Sequence, residues 1–183
     1  RMMMGKGFYD RAIYFLEHLI LKSGWDDDKY FAWVQMSACY LKLGKEDMAI
    51  SCCNEALAIN TKFPDAYFAL GDIYASKNDY DKAVDWYMPG IVRPAPETGM
   101  VIDPSLYSYR GKANAALALL GKGDVPMACK LFSEAQMAAP NDKLIKKYTP
   151  LFVQANDDDN FIKSLHNMRR YIEVRDSSKL PFL

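Results

Sequence analysis

One recurring spacing constrains this chain more than any other feature. Trp33, Tyr40, Gly44, Ala49 and Ala56 are answered by Tyr67, Tyr74, Asn78, Ala83 and Gly90, each 34 positions further on. Bulky and small positions recurring together at that spacing describe a helical array, in which each unit buries its apolar face only by stacking on its neighbours. Ala49, Ala56 and Ala83 let paired helices approach closely, while Trp33, Tyr40, Tyr67 and Tyr74 fill the opposing holes. Gly44 ends the first helix of its unit, where a left-handed residue is least costly as glycine. Asn78 takes the same role one unit later, and Asp79 offers its side chain as cap to the next helix.

With Leu70, Gly71 and Tyr80 also in place, the stretches at about 30–63 and 64–97 resemble tetratricopeptide (TPR) repeats. The resemblance implies an all-α fold, a right-handed α-solenoid of antiparallel TPR helix pairs. A third unit is expected at about 109–142, where Gly123, Ala128, Phe132, Ala135 and Pro140 match the second-helix pattern and Lys112 replaces the usual aromatic. Ala128 follows Ala83 by 45 positions, so 11 extra positions are inserted between these units. At the front, Gly7, Tyr9, Ala12, Leu16 and Leu19 read as a half-repeat over 5–22, a second helix lacking its first.

The insertion, 88–104, carries four prolines and two glycines, which oppose regular helix through much of it. A spacer between units is the favoured reading, against a functional loop. Beyond Pro140 two capping helices are expected over 142–175, broken at Pro150, the second running from about Asn160 to Val174 behind Asp157-Asp158-Asp159. The whole of 1–175 reads as a single TPR-like domain, with 176–183 as tail or linker. An opening Arg1 and a leading half-repeat suggest a piece of a longer protein.

Composition narrows the function. Lys and Arg (23) balance Asp and Glu (23), which argues against a dedicated nucleic-acid binder. No apolar run approaches the roughly 20 residues that span a bilayer, so no membrane partner is expected. Cys39, Cys52, Cys53 and Cys129 form no C-x-x-C pair and read as reduced core thiols, which suits a cytoplasmic location. Asp26-Asp27-Asp28 and Asp157-Asp158-Asp159 contain D-x-D, but no strand pattern surrounds them and helix capping is the better reading. His18 and His166 stand alone, so no catalytic residue, metal site or cofactor is expected.

The resemblance also places a concave groove, lined by the first helix of each unit. It assigns Phe31, Val34, Ala38, Leu41 and Lys42 from the first complete unit, and Asp65, Phe68, Asp72 and Ser76 from the second. The third contributes Arg110, Ala113, Asn114 and Leu117. Such a lining suits an extended peptide or partner helix, unless the chain's own terminal helix or insertion fills it. Val34 and Ala38 stand where chaperone-binding TPR domains need lysine and asparagine to clamp a peptide carboxylate; Arg110 and Asn114 echo that set only faintly.

The expected function is a non-catalytic scaffold for a protein or peptide partner, with self-association through the half-repeat as a further possibility. An alternative comes from Tyr9-Asp10-Arg11-Ala12, His18-Leu19, Trp25, Cys39-Tyr40, Leu43-Gly44, Trp86-Tyr87, Asp103-Pro104 and Ala135 to Pro140. Over about 5–142 these positions resemble the TPR segment that follows family 2 glycosyltransferase domains in some bacterial and phage proteins. The repeats would then position a catalytic domain or glycan acceptor.

Overall fold

A computed structural model describes residues 6–177, with side chains from Gly7 to Asn160 and at Lys163. Its helices are α1 (Lys6–Lys22), α2 (Asp26–Lys42), α3 (Glu46–Ile59), α4 (Asp65–Ser76), α5 (Tyr80–Ile91), α6 (Gly111–Lys122), α7 (Val125–Ala138) and α8 (Lys143–Ser177). A π-helical stretch, Leu106–Arg110, leads into α6. No strand occurs among the described residues. Helices α2 and α3, α4 and α5, and α6 and α7 form packed pairs, and α1 packs on α2. Because α2 touches α4 and α4 touches α6, the first helices of the pairs share one face.

Local chemistry explains where the helices stop. Gly44, Asn78 and Gly123 all take positive φ (72°, 58° and 91°) just past a first helix. The next residue then folds back: the amides of Lys45, Asp79 and Asp124 donate to the carbonyls of Tyr40, Tyr74 and Leu119. Asp79 and Asp124 in turn accept from the amides of Lys82 and Met127 at 3.2 Å, capping α5 and α7. Ala49, Ala56 and Ala83 are fully buried between paired helices, as is Ala128.

Burial keeps the four thiols protonated. All four cysteines are unpaired, and burial pushes each thiol above its ordinary value, Cys52 to about 12 and Cys53 to about 11.

Three expectations need correction. In place of a capping pair over 142–175, α8 runs unbroken through Pro150. Proline removes one intrahelical hydrogen bond, but Pro150 and Lys146, four residues earlier, are both exposed, so water can serve the freed carbonyl. Asp157-Asp158-Asp159 therefore lies inside a helix rather than capping one; Asp159 pairs with Lys163 one turn on at 2.6 Å. Beyond Asn160 the side chains of the expected second capping helix, Lys163 apart, lie outside the described residues. The non-helical part of the insertion is shorter than expected, because α5 continues through Pro89 to Ile91.

Candidate functional site

The shared face of α2, α4 and α6 is a groove whose floor is set by close packing. Phe68 points into the protein between two glycines: a Cβ at Gly90 or Gly111 would sit 2.9 Å or 2.7 Å from its ring. Tyr87 from α5 lies over Gly71, where a Cβ would stand 2.5 Å from the ring. That approach carries the Tyr87 hydroxyl through to the groove side, where it donates to Asp72 Oδ1 at 2.5 Å. Asn114 of α6 donates to the same oxygen at 3.1 Å. Surrounding protein raises the Asp72 carboxyl, opposed by these two hydrogen bonds and by the charges of Arg110 and Lys42.

Asp65, in the first turn of α4, is held differently. Tyr107 donates to its Oδ1 at 2.6 Å, while its Oδ2 has no hydrogen-bond partner and is closed to solvent. Burial raises its carboxyl above the ordinary range despite that hydrogen bond. Next to it, the buried Tyr30 hydroxyl accepts from the Ala66 amide at 3.0 Å and donates to the Phe63 carbonyl at 3.2 Å. The start of α4 is thus capped by a side chain of the preceding unit.

The loop 92–103 folds back across the repeats. Arg93 anchors its start, stacking on the Tyr67 ring at 3.9 Å and donating to the Tyr67 hydroxyl, the Thr61 carbonyl and the Pro89 carbonyl. Met100 and Ile102 then pack on the cluster of Tyr30, Phe31, Ala56 and Ala66. At its end Asp103 pairs with Arg110 at 2.6 Å. The loop therefore packs over the start of α2 and contributes Asp103 to the lining of the groove.

Of the expected groove residues, four are buried: Phe31 (7% exposed), Asp65 (7%), Phe68 (4%) and Ala113 (0%). Their side chains serve the fold or the pocket wall, and a partner meets little of their surface. Ala38, Lys42, Asp72 and Ser76 are exposed, and Val34, Leu41, Arg110, Asn114 and Leu117 are half-buried. Of these open positions, Val34, Ala38, Asp72, Arg110, Asn114 and Leu117 line two hollows that share Asp72, whereas Leu41, Lys42 and Ser76 line neither. One, of about 210 Å³, lies among Val34, Ala38, Asp65, Phe68, Asp103 and Arg110. The other, of about 450 Å³, lies among Tyr80, Tyr87, Asn114, Leu117 and Tyr148. Tyr80 and Tyr87 were not expected there, because the groove was assigned to first helices and they belong to α5; nor were Asp103, Leu106 and Tyr148, from the insertion, the π-helical stretch and α8.

Among the described residues no three His, Cys, Asp or Glu side chains gather as metal ligands, and no helix is long and apolar enough to cross a membrane. The Asp26–Asp28 triplet occupies the first turn of α2, with Asp28 accepting from the Ser23 hydroxyl at 2.8 Å.

Comparison with known proteins agrees with the helical-repeat fold. A tetratricopeptide repeat family model matches residues 30–88, the stretch that holds α2 to α5. Residues 30–88 are tetratricopeptide repeats. Solved TPR structures match over most of its length. The second TPR domain of human RPAP3, in complex with the HSP70 peptide SGPTIEEVD, is 17% identical with a TM-score of 0.58, over 72% of this chain and 98% of that one. The type III secretion translocator chaperone SycD of Yersinia enterocolitica is 19% identical with a TM-score of 0.55, over 74% and 95%. A MamA structure is 27% identical with a TM-score of 0.54, over 73% and 66%. No curated protein matches the chain in sequence.

Proposed function

We propose that this TPR chain is a non-catalytic interaction scaffold whose concave groove captures an extended peptide or a partner helix. The observation that carries the reading is that two hollows on the face shared by α2, α4 and α6 both have Asp72 in their lining, a trough formed by successive repeats. The peptide held by the RPAP3 domain supports the same use of the fold. Panning a random peptide library on the intact chain, then titrating recovered peptides, tests it. Ala38→Arg would fill the trough from an exposed position, at a stability cost within about 0.5 kcal/mol. Binding should fall at least tenfold; unchanged affinity would overturn the groove reading.

Self-association has its own observation. One side of α1 exposes Phe8, Phe15 (69% exposed) and Leu19, while Ile13, Leu16 and Ile20 face α2 and the core. An apolar stripe at the end of a solenoid is where another unit would stack. Light scattering should show a dimer that Phe15→Glu disperses; a monomer at high concentration sinks this reading. The glycosyltransferase alternative is tested by reading the gene upstream of Arg1 for an α/β domain with its own D-x-D.

A further inference from the structure

We infer that the smaller hollow takes a lysine or arginine side chain of the captured peptide or helix. This rests on the groove reading above and adds the chemistry of the ligand. At about 210 Å³ the hollow is smaller than the roughly 300–1,000 Å³ of sites for whole small molecules, and suits a single long side chain. Val34, Ala38, Ala69 and Leu106 line it with apolar surface that fits the methylene stem of lysine or arginine.

Its charged lining is one-sided. Asp65, Asp72 and Asp103 face a single guanidinium, Arg110, which is engaged with Asp103 at 2.6 Å. Asp65 is only 7% exposed, and its Oδ2 meets no donor. That oxygen is closed to direct contact, but a cation in the hollow would stabilise the buried carboxylate through space. On Asp72, Tyr87 and Asn114 both engage Oδ1, and no described residue donates to Oδ2. Surrounding protein raises both carboxyls, the direction that an incoming positive charge would reverse. Lys42, exposed on α2, is near enough to favour the charged form of Asp72 but does not line the hollow. The RPAP3-bound peptide SGPTIEEVD is acidic, so this pocket selects the opposite sign.

The probe is acetyl-Ala-Leu-Xaa-Leu-Ala-amide, with Xaa as lysine, arginine, norleucine or glutamate, titrated into the intact chain at low salt and followed by amide NMR shifts. The lysine and arginine peptides should bind about fivefold or more tighter than the norleucine peptide, with shifts in α2 and α4, and the glutamate peptide weakest. Asp72→Asn should erase the lysine preference. Arg110→Gln should enlarge it, because a competing internal cation is gone, an opposite sign that general loosening would not produce. Asp65→Asn is the companion variant; should it not fold, the Asp72 and Arg110 pair decides. Equal binding of lysine and norleucine peptides in the groove overturns the cation pocket and leaves the groove reading standing. Shifts confined to other surfaces, or no binding by any of the four, overturn both.

Discussion

The first and second complete repeats share their spacing and their positive-φ turns at Gly44 and Asn78, yet they solve the same packing problem with exchanged volumes. Where α2 and α3 place Val34 near Ala56, α4 and α5 place Phe68 against Gly90, the same two positions one repeat later. Where the first unit pairs Ser37 with Cys53, the second pairs Gly71 with Tyr87. Each enlargement on one helix is met by the loss of a Cβ or more on the other, so the spacing between helices is kept. The exchange has a functional consequence. Only the Tyr87 ring is long enough to reach through to the groove, and it meets Asp72 where the first unit has Ala38. The carboxylate of the second repeat is therefore anchored by the core, whereas the first repeat offers a smooth apolar floor.

Breaking the larger residue of a pair should cost most. Phe68→Ala empties a site closed by two glycines and should lower stability by about 3–5 kcal/mol in denaturant titration. Val34→Ala, at the equivalent half-buried position, should cost nearer ~1 kcal/mol. Comparable losses would mean that the two repeats pack alike.

The exchange itself can be tested by importing the first unit's residue. Gly71→Ser drives a Cβ into the Tyr87 ring and should cost about 1–3 kcal/mol. Gly71→Ser combined with Tyr87→Cys rebuilds the first unit's pair, and the two changes should lose less than the sum of their separate costs. Strict additivity would show that the two residues do not compensate one another.

A similar loss is expected where the repeats differ in capping. Tyr30→Phe leaves the Ala66 amide without its acceptor and should cost about 1–3 kcal/mol, read as earlier thermal unfolding. The equivalent position of the next repeat is Pro64, which has no hydroxyl to lose.

The smallest effect is a slope. Burial raises Asp65 in the fold, so the folded chain holds that proton more tightly than the unfolded chain. Its contribution to stability is complete below the ordinary carboxylate range and is lost as pH rises through the raised value. Asp65→Asn should flatten that decline in melts from about pH 4 to about pH 8. An unchanged slope would place its origin elsewhere, with Asp72 the next residue to test.

Much of the framework could be read from residue types at fixed spacing. Gly44 and Asn78 are legible because few residues tolerate positive φ, and Asp79 because a side-chain acceptor belongs at a helix start. The groove was legible only as a face. The family resemblance says which side of α4 Phe68 and Asp65 occupy, but not that glycines on α5 and α6 enclose the one and that Tyr107 covers the other. Pro150 misled because proline's cost depends on whether the freed carbonyl meets water, which burial decides.

By itself, then, the sequence determined a helical repeat array, its turn positions and the small residues between paired helices. These depend on contacts that recur in every unit and therefore leave a periodic trace. Tertiary structure alone decided that the loop after α5 folds back over Tyr30 and Phe31, that Asp65 is buried with one oxygen unpartnered, and that Asp72 is held from behind by Tyr87. The first two bring residues of the segment between α5 and α6 onto earlier helices, and the third joins the two helices of one unit alone. They occur once, so no spacing announces them.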